Sequence, residues 1–169
     1  MKLKGVIFED FINYKKPCMV LEFPYCTFKC DKECGKPVCQ NGALAQASDI
    51  EVDMWELLDR YVNNPITEAV VFQGLEPFNS YSDMCCFISA LRHSYRCYDD
   101  IVIYTGFTED ELRAPIHVGD RNSYPLQYLE NYPNIIVKFG RYIPDQEPHY
   151  DEVLGVKLAS DNQYAIRIS

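Results

Sequence analysis

The sequence predicts a single α/β domain in which parallel strands alternate with helices. The first indication is a set of short, continuous apolar runs, as in strands that are buried on both faces: Cys18–Phe23, Ala69–Phe72, Ile101–Thr105 and Asn134–Phe139. The second is that helical patterns separate these runs, as in βαβ units. The third is length, since 169 residues suffice for one domain and for an open or partial β/α barrel. A complete eight-fold barrel takes about 250 residues and is excluded.

The N-terminal part of the chain is predicted to supply two strands and a long loop. Lys2–Phe8 is a short strand that leads into a turn at Asn13–Lys16. Cys18–Phe23 is an apolar strand, and Pro24 ends it. Tyr25–Ala47 combines cysteines, glycines, prolines and polar residues without a helical or strand period, which predicts a structured loop.

Asp53–Asn63 is predicted to form the helix after this loop. Its apolar face is formed by Trp55, Leu58 and Val62, which are spaced at one and two helical turns. Asp53 is a suitable N-cap for this helix, because its short carboxylate can accept the first free backbone N–H groups.

The rest of the chain is predicted to continue the alternation of strands and helices. The predicted elements are a strand at Ala69–Phe72, a helix at Ser82–Tyr95, a strand at Ile101–Thr105, a short helix at Glu109–Arg113 capped by Thr108, a helix at Ser123–Asn131 and a strand at Asn134–Phe139. The tail to Ser169 is weakly patterned. No repeat, linker or low-complexity segment divides the chain, so we take residues 1–169 as one domain, with the cysteine-rich loop at residues 24–41.

Composition excludes several classes of function. The net charge is −9 and the pI is about 4.8, without the basic stripe of a nucleic-acid-binding protein. No apolar run approaches the roughly 18 residues of a membrane span, and the N-terminus lacks the apolar region of a signal peptide. We therefore expect a cytoplasmic protein that binds small molecules or another protein. In that reducing compartment, the eight cysteines are better explained as ligands or reactive groups than as disulfides.

Half of the cysteines lie in the loop that follows the strand Cys18–Phe23: Cys26, Cys30, Cys34 and Cys39. Thiolates at this spacing can converge on one metal centre, and soft sulfur ligands select zinc or iron–sulfur clusters. Four-cysteine zinc sites usually consist of two CxxC pairs, and no pair here has that spacing. The loop also lies at the carboxyl end of a strand, where β/α folds place their active sites. An iron–sulfur cluster is therefore favoured, with zinc as the alternative.

The remaining cysteines and the histidines carry no comparable pattern. The cysteines at strand and helix positions are predicted to be small buried apolar residues: Cys18, Cys85, Cys86 and Cys97. The histidines have no acid–base or metal spacing and are interpreted as surface or core residues: His93, His117 and His149.

Four short segments share their order along the chain with motifs of one enzyme family. They are Cys26–Cys30 (CTFKC), Gly74–Pro77 (GLEP), Ile103–Thr108 (IYTGFT) followed by Glu111-Leu112, and Ser160–Gln163 (SDNQ). In turn they resemble the first half of the CxxxCxxC motif, the GGEP segment, the YTG segment and the terminal SxNQ of the radical S-adenosylmethionine (SAM) superfamily. The resemblance is to its small activating enzymes for glycyl-radical proteins, most closely the type that activates anaerobic ribonucleoside-triphosphate reductase.

The third cluster ligand is not settled by this resemblance. Glu33 stands where the motif has its third cysteine, so either Cys34 closes the set or Cys39 does, with Asp31–Val38 as an insertion. We favour Cys39, because the following Gln40-Asn41 resembles the C-x-N ending of the motif in the activating enzymes.

The resemblance implies that three thiolates hold a [4Fe–4S] cluster and leave its fourth iron open to the amino and carboxylate groups of SAM. Glu76 would then hold the methionyl amine next to Pro77, while backbone groups of Gly74 and of Tyr104-Thr105-Gly106 seat the rest of the molecule. Lys138 either pairs with the carboxylate of SAM or is a lysine that snorkels at a strand end.

The implied activity is one-electron cleavage of SAM to methionine and a 5′-deoxyadenosyl radical. Leu75 stands where GGEP has its second glycine, a departure that bears on the geometry of amine binding while Glu76 is retained. The implied partners are a glycyl-radical protein, such as anaerobic ribonucleotide reductase, and an electron donor such as flavodoxin or ferredoxin. Two alternatives stay open: a radical SAM enzyme acting on a small molecule or peptide, and a non-enzymatic iron–sulfur or zinc-binding module.

Overall fold

The fold was analysed in a computed structural model that describes residues 1–118 and 121–169. The strands are β1 (Lys2–Leu3), β2 (Gly5–Asp10), β3 (Cys18–Phe23), β4 (Ile50–Glu51), β5 (Ala69–Gly74), β6 (Asp100–Tyr104), β7 (Ile116–Val118), β8 (Arg121–Ser123), β9 (Ile135–Phe139), β10 (His149–Asp151), β11 (Val156–Leu158) and β12 (Tyr164–Arg167). The helices are α1 (Lys29–Cys34), α2 (Gly42–Gln46), α3 (Met54–Val62), α4 (Tyr81–His93), α5 (Glu109–Arg113) and α6 (Pro125–Leu129), with a 3₁₀ turn at Pro77–Ser80.

The centre of the molecule is a six-stranded sheet in the order β12-β9-β6-β5-β3-β2. The four inner strands β3, β5, β6 and β9 are parallel, and β2 and β12 run antiparallel at the two edges. The mixed α/β class with a mostly parallel sheet is therefore confirmed. Smaller antiparallel pairs join β1 to β4, β7 to β8 and β10 to β11.

The two faces of this sheet are covered differently. On one face, helices α3 to α6 pack against alternate strand residues, with Leu58 and Phe87 in the same buried cluster as Phe72. On the other face, Leu154 and Leu158, around the hairpin β10–β11, cover only the amino-terminal halves of the strands. The carboxyl ends of the parallel strands on this second face border a cavity instead.

Local signals placed the helix starts correctly. Asp53 caps α3, because its Oδ1 accepts the backbone N–H groups of Trp55 and Glu56. Thr108 caps α5 in a reciprocal arrangement in which its hydroxyl accepts the N–H of Glu111 and its own N–H donates to the Glu111 carboxylate. Both motifs satisfy backbone donors that a helix start leaves free.

The predicted apolar face of α3 is partly wrong. Leu58 is buried as expected, but Trp55 is 50% exposed and Val62 is 37% exposed. The buried residues of this helix are Leu57, Leu58 and Tyr61. The stripe that faces the core is therefore rotated by about a quarter turn around the helix axis from the predicted one.

Short elements account for the other differences. The predicted loop Tyr25–Ala47 contains α1 and α2, the first predicted strand is divided into β1 and β2, and Ser123–Asn131 contains the end of β8 as well as α6. The weakly patterned tail forms β10, β11 and β12, of which β12 joins the central sheet. Elements of two to six residues are too short to show a period, so tertiary contacts decide them.

The cysteines and histidines outside the cysteine loop differ in their exposure to solvent. Cys18 and Cys85 are buried and Cys97 is partly buried, but Cys86 is exposed, because it points away from the core on α4. His93 is exposed and His149 is partly buried, whereas the side chain of His117 lies outside the described residues. In the part of the chain that the structure describes, no helix has the length and apolar character of a membrane span.

Candidate functional site

The candidate site lies where the second face of the sheet changes from apolar to polar. Cross-strand neighbours on this face form a fully buried apolar row of Val20, Val71, Val102 and Ile136. Two positions further along each strand, side chains point to the same face, and here they are Glu22, Gln73, Tyr104 and Lys138. This polar row borders a cavity of about 350 Å³.

Three of the four loop cysteines line this cavity: Cys26, Cys30 and Cys39. Cys34, at the end of α1, is not among the lining residues. The loop returns to the cavity because one oxygen of the Asp31 carboxylate accepts the backbone N–H groups of Val38 and Cys39, both at 2.8 Å. The structure therefore places Cys39, and not Cys34, on the same cavity as the first two cysteines.

Burial disfavours the thiolate form of two of these cysteines, Cys26 and Cys30. Burial raises the pKa of Cys26, although its sulfur accepts a hydrogen bond from the backbone N–H of Phe28 at 3.2 Å. Burial also raises the pKa of Cys30 to about 11. Because only thiolates bind metals, loading of this site must release protons.

The side chains around this cavity are suitable ligands for a cluster. Cys26, Cys30 and Cys39 border it, and thiolates are the usual ligands of iron–sulfur clusters. Among residues 1–118 and 121–169, no three His, Cys, Asp or Glu side chains form a group that could hold one metal ion.

Glu76 provides a buried carboxylate in the same cavity. It is 5% exposed, and its Oε1 accepts the Thr105 hydroxyl at 2.9 Å and the Phe78 N–H at 3.1 Å, while Oε2 accepts the Gly106 N–H at 2.9 Å. All of these donors are neutral. Burial raises the pKa of Glu76 to about 7 against the effect of these hydrogen bonds. Among the residues that the structure describes, no cationic side chain donates a hydrogen bond to this fixed carboxylate.

The backbone before Glu76 explains the GLEP segment. Gly74 has φ +99°, and a Cβ there would lie 2.6 Å from the backbone nitrogen of Phe23, so only glycine fits. Leu75 does not occupy the left-handed region, and its N–H donates to the Phe23 carbonyl at 3.1 Å. A second glycine is therefore not required by the local conformation. Pro77 is buried at the start of the 3₁₀ turn and does not line the cavity.

The segment after β6 supports Glu76 and closes one wall of the cavity. Tyr104, Thr105 and Gly106 all line it, as the resemblance to the YTG segment implied. The hydroxyl of Tyr104 donates to the carbonyl of Asn13 at 2.6 Å. The hydroxyl of Thr105 also accepts the N–H of Phe107 at 3.0 Å, which fixes it for its contact with Glu76.

Lys138 lies in the cavity wall with its ammonium group buried. Lys138 is 7% exposed, and its Nζ donates a hydrogen bond to the carbonyl of Gly140 at 2.8 Å. Burial lowers the pKa of Lys138 to about 8, and Glu76 opposes this shift. A snorkelling lysine would place its ammonium in water, so this geometry favours a positive charge turned toward the cavity.

Sequence reasoning did not assign several other lining residues to the site, among them Glu22, Gln73, Arg141 and Gln163. Strand alternation could have located the first two, since they follow Val20 and Val71 by two positions. Arg141 and Gln163 depend on tertiary contacts. Gln163 Nε2 donates to the Gly140 carbonyl at 3.2 Å, and Asn162 Nδ2 donates to the Arg141 carbonyl at 2.9 Å. The SDNQ segment therefore holds the wall that carries Arg141.

Comparison with known proteins identifies the family. Residues 17–155 match the family model described as "4Fe-4S single cluster domain". No curated protein and no solved structure matches the chain significantly. The family match spans the cysteine loop, β5 with Glu76, β6 and β9, which are the elements that surround the cavity. The chain therefore belongs to the 4Fe-4S single cluster domain family and is an iron–sulfur protein.

Proposed function

We propose that this protein is a radical SAM enzyme of the glycyl-radical-activating type, built on an open β/α barrel. The observation that carries the proposal is that Glu76, a buried carboxylate without a hydrogen-bonded cation in the described part of the chain, shares one cavity with Cys26, Cys30 and Cys39. An electron-transfer centre with four thiolates has no need of such a carboxylate. A three-thiolate cluster that binds an amino acid derivative does.

Cys26, Cys30 and Cys39 are the proposed cluster ligands. Cys34 stays off the cavity, so the fourth iron has no fourth thiolate among the loop cysteines. When bound, a [4Fe–4S] cluster with one open iron supplies the binding point for SAM and the electron that cleaves its sulfonium.

The residues of the chain then bind and orient the methionyl group. Glu76 accepts hydrogen bonds from the ammonium group of SAM. Thr105 and Gly106 hold the two carboxylate oxygens of Glu76 in place. Lys138, on β9, pairs with the carboxylate group of SAM. Gly74 lets the end of β5 pass close to the backbone of Phe23, and this positions the turn that carries Glu76. The low-dielectric surroundings strengthen each of these contacts.

The proposed reaction consumes one SAM and one electron from a donor such as flavodoxin or ferredoxin. The C5′–S bond breaks to give methionine and a 5′-deoxyadenosyl radical. This radical takes a hydrogen atom from the α-carbon of a glycine in the partner protein, which leaves 5′-deoxyadenosine and a glycyl radical. The resemblance to the activating enzymes favours a large partner such as anaerobic ribonucleotide reductase.

Spin resonance of the reconstituted protein tests the proposal. We expect a [4Fe–4S]⁺ signal after anaerobic loading with iron and sulfide and reduction, and a change in that signal when SAM is added. Glu76→Gln should keep the cluster signal but lose most of the response to SAM, whereas Glu56→Gln, on the exposed side of α3, should behave as the wild type. A cluster signal that ignores SAM would contradict radical SAM chemistry.

The ligand set and the partner have separate tests. Cys39→Ser is expected to abolish iron binding at full stoichiometry, and Cys34→Ser is expected to retain it; the reverse result would exchange the two residues. The glycyl radical should appear on a candidate partner only when both proteins, SAM and a reductant are mixed. Turnover of SAM with a small molecule or peptide and no protein partner would favour the alternative substrate class.

A further inference from the structure

Four charged side chains meet at the edge of the cavity, and two of them, Lys29 and Arg141, line it. Lys29 and Glu33 belong to α1, Glu111 belongs to α5, and Arg141 follows β9. Nη2 of Arg141 donates to both carboxylate oxygens of Glu111 at 2.5 and 2.7 Å, and its Nε lies 3.4 Å from Glu33. Lys29 pairs with Glu111 and lies 3.8 Å from Glu33. We call these four residues the ion latch.

Apolar packing does not hold the helix that carries Cys30. No residue of α1 is buried, and the same is true of α2, which follows it in the cysteine loop. A hydrogen bond from Asn41 Nδ2 to the Gly74 carbonyl at 2.6 Å fixes the far end of the loop. Among the described residues, the side-chain hydrogen bonds and ion pairs that join α1 to the body of the protein are those of the ion latch, through Lys29 and Glu33.

Within the latch, the pair of Glu111 and Arg141 is better protected than an ordinary surface ion pair. The side chain of Arg141 is only 11% exposed, and that of Glu111 is 27% exposed. Lys29 and Glu33 on α1 are 45% and 51% exposed. Isolated exposed pairs contribute little, but networks of several charges contribute more. Arg141 and Lys29 also line the cavity, so the latch and the cavity wall share two side chains.

We propose that Glu111 and Arg141 are positioning residues that fasten α1 at the edge of the cavity and so hold Cys30 in place for the cluster. This inference rests on the part of the proposed function that assigns the cluster to the loop cysteines, and it does not depend on SAM. When the latch is released, α1 swings away from the cavity and the thiols become accessible.

Alkylation of the thiols in the full chain before iron loading tests the latch. The variant Glu111→Gln removes one charge and keeps the cap of α5, because glutamine also serves in the capping arrangement with Thr108. Arg141→Gln removes the opposite charge. If only the local field mattered, the two variants would shift thiol reactivity in opposite directions, whereas release of α1 raises it in both.

The matched control lies on the same helix. Arg113 pairs with Glu109 at 2.7 Å and with Glu130 at 3.2 Å, away from the cysteine loop. Arg113→Gln therefore breaks ion pairs of α5 without touching the latch. Cys18, which is fully buried, reports any global unfolding, and the exposed Cys86 reports intrinsic reagent activity.

We expect Glu111→Gln and Arg141→Gln each to raise the alkylation rate of Cys30 by about five-fold. The double variant should add little to either single change. Sodium chloride at about 1 M should raise the wild-type rate toward that of the variants and leave the variants nearly unchanged. Rates at Cys18 and Cys86 should not move.

The inference is overturned by an unchanged Cys30 rate, by opposite effects of the two variants, or by an equal rise in Arg113→Gln. In the reconstituted protein, the same two variants should lose their cluster to a chelator about five-fold faster than the wild type. These readouts remain valid if SAM does not bind. Failure of the latch and failure of radical SAM chemistry are therefore distinguishable.

Discussion

Two buried carboxylates at opposite ends of the central strands differ in the charges that surround them. Asp100 begins β6 at the amino end of the sheet, and Glu76 follows the carboxyl end of β5; each is 5% exposed. The Asp100 carboxylate accepts hydrogen bonds from Lys16 Nζ at 2.6 Å, from the Tyr14 hydroxyl at 3.0 Å and from Arg167 Nη2 at 2.8 Å. Two cations thus compensate its charge.

The consequences for ionisation are opposite. Burial alone would raise the pKa of Asp100, but its bonds to Lys16, Arg167 and Tyr14 outweigh this and lower the pKa below its usual value. At Glu76, burial outweighs three neutral donors and raises the pKa to about 7. The charge of Asp100 supports the fold, whereas the charge of Glu76 opposes it and is available to a cationic ligand.

The largest effect expected from this comparison is a pH dependence that belongs to Glu76. Between pH 5 and pH 8, the free energy of unfolding should fall by about 2.5 kcal/mol in the wild type relative to Glu76→Gln. The folded carboxyl keeps its proton up to a pKa of about 7, whereas the unfolded one loses it near 4.5, so stability declines as pH rises through this window. Urea unfolding of both proteins at several pH values measures the difference, and parallel curves would contradict the prediction.

Asp100→Asn should show the opposite behaviour. At pH 7 we expect a loss of about 2 kcal/mol in the free energy of unfolding, because three hydrogen bonds to a charged acceptor are weakened. The lowered pKa means that this stabilisation is present above the pKa of the unfolded carboxyl and is lost as pH falls through the folded one. Asp110→Asn, at an exposed position of α5, is the control and should change stability little. If Asp110→Asn lowered the free energy of unfolding as much as Asp100→Asn, the partners of Asp100 would not explain its effect.

Lys138→Met tests whether the positive charge of Lys138 lowers the pKa of Glu76. Methionine keeps an apolar stem of similar length but removes the positive charge that lowers the pKa of Glu76. We expect the pKa of Glu76 to rise by roughly one further unit. Carbon NMR of the labelled carboxyl group as a function of pH measures this shift. If the carboxyl titrates unchanged, the ammonium of Lys138 does not act on it.

The smallest effect is expected at Leu75. Because its backbone is not left-handed, Leu75→Gly should only add freedom to the unfolded chain and cost about 0.5–1 kcal/mol. The pKa of Glu76 should stay where it is. Thermal unfolding together with the same NMR titration tests this, and a large shift at Glu76 would mean that Leu75 shapes the carboxylate's surroundings.

Local patterns were sufficient for much of the fold. The apolar runs at β3, β5, β6 and β9 predicted the parallel strands, since strands buried on both faces leave a continuous apolar signature. The caps at Asp53 and Thr108 were readable because a cap and the N–H groups it satisfies lie within three residues. By contrast, β12 is four residues long, and only its pairing with β9 makes it a strand.

The sequence by itself determined the class of chemistry. Four thiols within one loop after a buried strand are local features that predicted an iron–sulfur site at the carboxyl end of the sheet, whereas the assignment of Glu76 came from the resemblance. The family match at residues 17–155 agrees with the iron–sulfur part of that prediction. The SAM-binding role of Glu76 stays a prediction.

Only the tertiary structure decided which groups share a cavity and which charges are compensated. Cys39 faces the cavity because Asp31 folds the loop back, and Asp100 is neutralised by residues that lie 84 and 67 positions away in the chain. Ionisation depends on burial and on partners in space, and neither is a property of neighbouring residues. For the same reason the sequence could show Glu76 and Asp100 as similar carboxylates, while the fold gave them opposite roles.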